Sequence, residues 1–276
     1  MSFKIIADSS SNLRTGEIKN FVSVPLKIIL GNTEYTDNEA LDVKALVEAM
    51  STSKEKCSTS CPNVFDWNEG FGGANEIFVV TITSSLSGCY SSAVRAKEDY
   101  IKENPNAKIC IIDSLSTGPE MELIIEKLMA LRESGATFEE AEAKIFEYMK
   151  KTRLLVTLES LKNLAKNGRV STTVAKIAGV VGIRVIGTAS ADGYLEPIHK
   201  TRGERKTLET LKEEILKLGF KGGKLRISHC ENSNAAETFK NMVLSVFPKS
   251  NIKIRHCTGL CSFYAERGGM ILGFEI

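Results

Sequence analysis

The chain has 276 residues, 42% hydrophobic and 25% charged, which suits one large domain or two ordinary ones and excludes disordered, collagenous and disulfide-scaffold proteins. Its 36 Lys and Arg against 34 Asp and Glu leave a net charge of +2, so no global field draws in nucleic acid or an anionic membrane, and any basic site must be local. Asp8 interrupts the N-terminus before a secretory apolar segment forms, and no apolar run reaches the roughly 18 residues of a membrane span; a cytoplasmic protein with reduced thiols at its seven cysteines is expected.

Short β-branched runs alternate with segments of helical period, the pattern of an α/β protein with a mainly parallel sheet. Residues 4–7 read as a strand ending in Asp8-Ser9-Ser10-Ser11-Asn12, and residues 22–30 as a second extended stretch leading to the turn Gly31-Asn32. Residues 41–50 have helical spacing. Residues 77–83 form an apolar β-run of the kind buried on both faces, followed by Ser84-Ser85-Leu86-Ser87-Gly88 and a helix over 90–103. The pattern repeats with a strand over 108–112, the loop Asp113-Ser114-Leu115-Ser116-Thr117-Gly118 and a helix over 120–134. Three strands thus end in serine-rich loops, at Asp8, Thr83 and Asp113, and in a parallel sheet such loops gather at the carboxyl edge, where ligands bind. A helix over 137–151 opens with the capping pattern Thr137-Phe138-Glu139-Glu140.

From about Arg153 the character changes. Helices are predicted over 158–166 and 173–181, separated by Asn167-Gly168-Arg169; strands over 183–189 and 195–200 flank Ala191-Asp192-Gly193. The Asp-Gly turn signals a hairpin, so the second half carries antiparallel pairing. A helix over 205–218, a strand over 224–229, a helix over 234–247, a strand over 251–257, a short helix over 260–266 and a last strand over 270–276 follow. The expected division is 1–152, an N-terminal α/β lobe with a mainly parallel, Rossmann-like sheet, and 153–276, a C-terminal α+β lobe with a mixed or antiparallel sheet.

The glycine pairs Gly72-Gly73, Gly222-Gly223 and Gly268-Gly269 match no nucleotide-binding fingerprint. Cys57 and Cys61, with Cys257 and Cys261 beside His256, have the wrong spacing for zinc knuckles and read as packed thiols, so no metal and no cofactor is expected. His199, His229 and His256 fall in or at the ends of strands and read as structural. Ser87 stands at a sharp strand-to-helix turn, where backbone N–H groups and the helix dipole favour an anion. It lacks the flanking glycines of a nucleophile elbow, which leaves a helix cap, a ligand contact and a serine-dependent acyl hydrolase or transferase all open. A second hydroxyl-rich segment, Ser58-Thr59-Ser60-Cys61-Pro62, favours the ligand contact, since hydroxyls and a helix start together suit a carboxylate or phosphate without activating a nucleophile. Arg169, Lys200, Arg202, Arg205 and Lys206 lie at predicted turns and helix starts, where charge is usually a solvated face.

These segments, in this order, resemble the DegV family of bacterial fatty-acid-binding proteins. The resemblance runs through Ala7-Asp8-Ser9-Ser10, Val24-Pro25-Leu26, Tyr35-Thr36-Asp37 and Thr59-Ser60-Cys61-Pro62, similar to TSxP. It continues through Ser84-Ser85-Leu86-Ser87-Gly88-Cys89-Tyr90-Ser91-Ser92-Ala93, Asp113-Ser114, Leu164-Ala165-Lys166-Asn167-Gly168-Arg169-Val170-Ser171, and Asp192-Gly193 followed by Lys200-Thr201-Arg202-Gly203. It implies two lobes with one long-chain fatty acid between them, and a carrier, not an enzyme, that presents the acid's carboxylate to a fatty acid kinase. It leaves room for a transient membrane-surface contact during lipid exchange. It further implies that Thr59 and Ser87 bond the carboxylate, helped by backbone donors near Gly88 and Cys89, and that Arg169 and Arg202 lie near the head group or face the kinase. Three departures stand out: Cys89 where threonine is usual, Asn167 for the first glycine of the GGR turn, and Glu266 where many members carry a histidine. A carboxylate at Glu266 would repel a bound carboxylate unless Arg267 or another cation paired with it. For the acyl tail, Ile177, Ala178, Val180, Val181, Ile183 and Val185 are the expected apolar candidates.

Overall fold

The computed structural model describes residues 3–53, 55–171 and 182–276. Its first part runs β1 (Phe3–Asp8), β2 (Phe21–Val24), β3 (Lys27–Leu30), β4 (Thr33–Thr36), α1 (Val43–Thr52), β5 (Cys57–Ser60), α2 (Val64–Phe71), β6 (Glu76–Thr81), α3 (Cys89–Glu103), β7 (Lys108–Asp113), α4 (Pro119–Glu133) and α5 (Phe138–Met149). The second runs β8 (Thr152–Leu158), α6 (Lys162–Lys166), β9 (Ile183–Ala189), β10 (Leu195–Arg202), α7 (Glu204–Lys217), β11 (Lys224–His229), α8 (Ser233–Leu244), β12 (Asn251–His256), α9 (Gly259–Ala265) and β13 (Met270–Glu275).

Strands β2-β1-β6-β7 form a wholly parallel sheet, and β10-β9-β8-β13-β11-β12 form a mixed six-stranded one, so the α/β reading with a parallel and a mixed sheet holds. The predicted hairpin is present, β9 and β10 pairing antiparallel across the Asp192-Gly193 turn. The predicted capping pattern is present too: the Thr137 hydroxyl accepts from the Glu140 N–H while the Glu140 carboxylate accepts from the Thr137 N–H.

Several elements differ from the sequence reading, which assigned nothing to β4, β5 or α2. Residues 22–30 are two strands in different sheets, because Pro25 has no N–H to continue a ladder; β3 instead joins β4 and β5 in a small antiparallel sheet. Thr152–Leu158, unassigned in the sequence reading except for a helix start at 158, is strand β8 within the mixed sheet, and the helix is confined to Lys162–Lys166. The helix expected over 173–181 lies outside the described residues.

The hydrophobic cores interlock. Leu260 of α9 packs in the core of the parallel sheet, and Phe263 with Leu46 and Ile28 under the small sheet. Helix α4 lies across the mixed sheet and is fixed there by charge. Arg226 on β11, 1% exposed, donates to both oxygens of Glu126, from Nε at 3.0 Å and Nη2 at 2.7 Å; Lys224 and Lys253 reach the same carboxylate at 3.1 and 2.7 Å. Burial alone would raise the Glu126 pKa, but these cations hold it down to about 2. Removing one partner of a buried pair strands the other charge. Glu126→Ala is therefore expected to lose about 3–5 kcal/mol in denaturant unfolding, and Lys253→Ala, at the exposed rim, less than about 1 kcal/mol; equal losses would show that the cluster acts by surface charge alone.

Candidate functional site

A cavity of about 330 Å³ lies where the carboxyl edge of the parallel sheet meets a face of the mixed sheet. One wall is apolar and follows from strand alternation: Leu154, Val156 and Leu158 sit two residues apart on β8 and share a face, joined by Ile271 from β13. The opposite wall is polar, made by the loops after β6 and β7 (Thr83, Ser87, Ser116, Thr117) and the end of β5 (Thr59, Ser60, Cys61).

The hairpin turn of β9–β10 closes one side. The Ser85 hydroxyl donates to the Asp192 carbonyl at 2.5 Å, and Gly193 lies so close to Thr83 that an added Cβ would stand 2.1 Å from its hydroxyl. With φ at +80° as well, only glycine suits this position.

At the polar end, Thr59 and Ser87 both line the cavity, and so does Gly88, the N-cap residue of α3. The Thr59 hydroxyl is 2.8 Å from the Tyr264 hydroxyl, and Ser87 Oγ lies 3.2 Å from Cys89 Sγ. Gly88 cannot cap α3 with a side chain, and the Cys89 N–H points at Ser87 Oγ at 3.4 Å, so the start of the helix offers donors at this end. Arg169 lines the cavity too, its guanidinium held by the Leu86 carbonyl, from Nε at 2.9 Å, and by the Asn167 carbonyl.

The other sequence-derived candidates lie elsewhere. Cys89 is fully buried behind Ser87 and does not line the cavity. Arg202 is exposed at the end of β10, away from the cavity. Glu266 faces the start of α6, where its carboxylate accepts from the Ser160 hydroxyl and the Asn163 N–H, both at 3.0 Å; Arg267 pairs instead with Glu48 at 2.9 Å. The residue that reaches the polar end from this segment is Tyr264, two positions earlier, to which the sequence reading assigned no role. Of the expected tail residues, Ile177, Ala178, Val180 and Val181 lie outside the described residues, and Ile183 and Val185 do not line the cavity. The wall comes from β8 instead.

Only two of the three serine-rich loops contribute. Ser9, Ser10 and Ser11 are fully buried, and their segment rivets the fold: Asn12 donates to the Ser228 hydroxyl at 3.0 Å and accepts from the Thr258 N–H at 2.9 Å, and Ser9 accepts from the Leu26 N–H at 3.1 Å. No histidine lines the cavity, no base among the described residues is seen beside Ser87, and the hydrolase reading finds no support. Among the described residues no three His, Cys, Asp or Glu side chains converge as metal ligands, and no helix is long and apolar enough to cross a membrane.

With this geometry the chain can be placed among known proteins. The DegV family model, described as an uncharacterised protein family, matches residues 2–275. The chain belongs to the DegV family. It is 40% identical to a DegV domain-containing protein of Streptococcus pneumoniae over 280 residues, covering 100% of both chains. It is similar to the crystal structure of a DegV family protein from Eubacterium eligens loaded with heptadecanoic acid, at 44% identity, TM-score 0.97 and 99% coverage of each chain. It is also similar to the Streptococcus pneumoniae fatty acid kinase (Fak) B3 protein loaded with linoleic acid, at 40% identity, TM-score 0.98 and 100% coverage of each.

Beneath the polar end lies Asp8, 0% exposed, accepting from the Ile82 N–H at 2.7 Å and from both the N–H and hydroxyl of Ser10. Burial pushes its pKa up to about 6 from 3.8, against the pull of those donors. The folded protein therefore keeps a proton that the unfolded chain gives up, and the stability this group contributes is lost as pH rises from about 4 through 6. Asp8→Asn is expected to remove up to one proton's worth of that slope, about 1.4 kcal/mol per pH unit, from stability measured across this window; an unchanged slope would mean that Asp8 ionises normally.

Proposed function

We propose that this chain binds a long-chain fatty acid in the cavity, its tail against β8 and β13 and its carboxylate between Thr59 and Ser87, and presents that carboxylate to a fatty acid kinase. The observation that carries the reading is the cavity's division into an aliphatic wall and a hydroxyl-lined end at the start of α3. Burying a methylene is worth about 0.8 kcal/mol, so a tail of roughly 16 carbons contributes on the order of 10 kcal/mol before entropy losses, and dominates affinity. The head group then needs donors, since an unpaired buried carboxylate costs far more than a neutral polar group. Thr59, Ser87 and the N–H groups after Gly88 supply them, Tyr264 steadies Thr59, and Arg169 adds positive charge nearby.

The position of Glu266 removes the repulsion expected from the sequence: its carboxylate is engaged at the start of α6. Cys89 backs Ser87 from below and does not itself contact the ligand. Arg202, exposed on the outer surface, suits the kinase-facing role better than the head-group role. The protein acts as a cytoplasmic carrier without catalysis of its own, with lobes 1–152 and 153–276 meeting at the ligand, and the similarity to fatty-acid-loaded DegV proteins supports this reading.

Native mass spectrometry of the purified protein, followed by denaturation, should release a single long-chain fatty acid per chain. Each of Ser87→Ala and Thr59→Val should weaken fatty acid binding by about 1.5–3 kcal/mol, roughly tenfold or more, as expected for a bond to a charged acceptor. Full retention of affinity in both variants, or no lipid released and none taken up, would overturn the proposal.

A further inference from the structure

Asp8 is a fully buried carboxyl beneath the head-group end, and among the described residues no Lys, Arg or His pairs with it. Its partners are hydrogen-bond donors: the Ile82 N–H after β6 at 2.7 Å, the Ser10 N–H at 3.1 Å, the Ser10 hydroxyl, and the Cys89 thiol at the start of α3. From α9 the Cys261 thiol faces it, and from α4 the Met121 thioether stands 3.2 Å from the Ser10 hydroxyl; its partner on β2 is Val24. The two thiols are the titratable groups that face it, and burial raises both, that of Cys261 to about 12, so neither is charged near neutral pH. Asp37, which also acts on Cys261, is itself paired with Arg14 at 3.3 Å.

Cys89 joins this carboxyl to the cavity. The Ser87 hydroxyl, which lines the cavity, donates to Cys89 Sγ at 3.2 Å, and the Cys89 thiol donates in turn to Asp8. A hydroxyl has one proton to give. With Asp8 ionised, the chain of donors runs from Ser87 down to the carboxylate, and Ser87 meets an anion in the cavity with its lone pairs. With Asp8 protonated, its O–H donates to Cys89 Sγ, and Ser87 is free to donate to a bound carboxylate. Charge acts in the same direction, since two carboxylates linked through Ser87 and Cys89 in a water-poor region disfavour each other's ionisation.

We infer that Asp8 is a positioning residue that couples fatty acid binding to proton uptake: the acid binds as an anion while Asp8 takes a proton from solvent, and ionisation of Asp8 favours its release. Coupling is reciprocal, so a bound anion strengthens Asp8's hold on its proton as much as that proton strengthens binding. Burial already raises the Asp8 pKa to about 6, so affinity falls as pH rises above that value. The inference rests on the carrier reading, because it needs the fatty acid carboxylate at Ser87.

The test compares palmitate affinity of the delipidated full chain and of Asp8→Asn between about pH 6 and pH 8. The unmutated protein is expected to lose up to about tenfold in affinity per pH unit, the limit set by one proton, and Asp8→Asn to lose that dependence. The ionisation of palmitate itself is common to both proteins, so the difference between them reports Asp8. Independently of how the variant folds, the carboxyl carbon-13 resonance of Asp8 is titrated in unmutated, aspartate-labelled protein with and without palmitate; its midpoint is expected to rise by about one pH unit on binding. A midpoint that palmitate leaves in place, or an affinity that falls equally with pH in both proteins, overturns the inference and leaves the carrier reading standing. Failure of the unmutated protein to bind palmitate at any pH overturns the carrier reading, and the coupling with it.

Discussion

The face of one sheet meets the edge of another in this molecule, and the site depends on that apposition. Two sheets stacked face to face interdigitate their side chains and leave no room between them. Here Leu154, Val156, Leu158 and Ile271 face the loop ends of β6 and β7, which present hydroxyls and backbone N–H groups. Such ends cannot interlock with leucines, so a space persists that is aliphatic on one side and hydrogen-bonding on the other. An amphiphile with one anionic end has that same division.

Holding an edge against a face requires the junction to be tied, and the ties are polar groups buried away from the cavity. Asp37, buried and with its pKa raised by desolvation, accepts from the N–H groups of Gly259 and Leu260 at the start of α9, at 2.7 and 2.9 Å, and lies 3.3 Å from Arg14. Asn12, in the left-handed region at φ 62°, reaches both β11 and Thr258. Glu122 and Glu126 bind α4 to the cations of β11 and β12. Each is costly to bury unless its partner is in place, so these groups favour one docking geometry over near alternatives.

Much of this was legible in the sequence, and the misreadings have physical causes. Strand β9 was placed at its observed limits because a β-branched run there is followed by the Asp-Gly turn signal. Strand β8 was missed because Thr-Arg-Leu-Leu-Val-Thr-Leu is buried on nearly every side, and burial on both faces erases the two-residue period that marks a strand. That omission displaced the expected tail wall to β9 and the helix before it. Thr59 and Ser87, which line the cavity, were singled out because hydroxyls beside a helix start have a chemical signature of their own. Glu266 was misplaced because position along the chain does not reveal direction: with φ at 54° the backbone turns there, sending Glu266 toward α6 while Tyr264 faces Thr59. The serine-rich loop after β1 looked like its two counterparts, and only the packing of α9 against it separates a rivet from a binding loop.

Helix α3 begins after Gly88, which has no side chain to cap it, and its first amide proton reaches only Ser87 Oγ, at 3.4 Å. An anion bound at Thr59 and Ser87 therefore completes the secondary structure as well as occupying the site, and cargo and scaffold share one free energy. With the site empty, that end of α3 would lack this partner and the protein would stand in its less stable form.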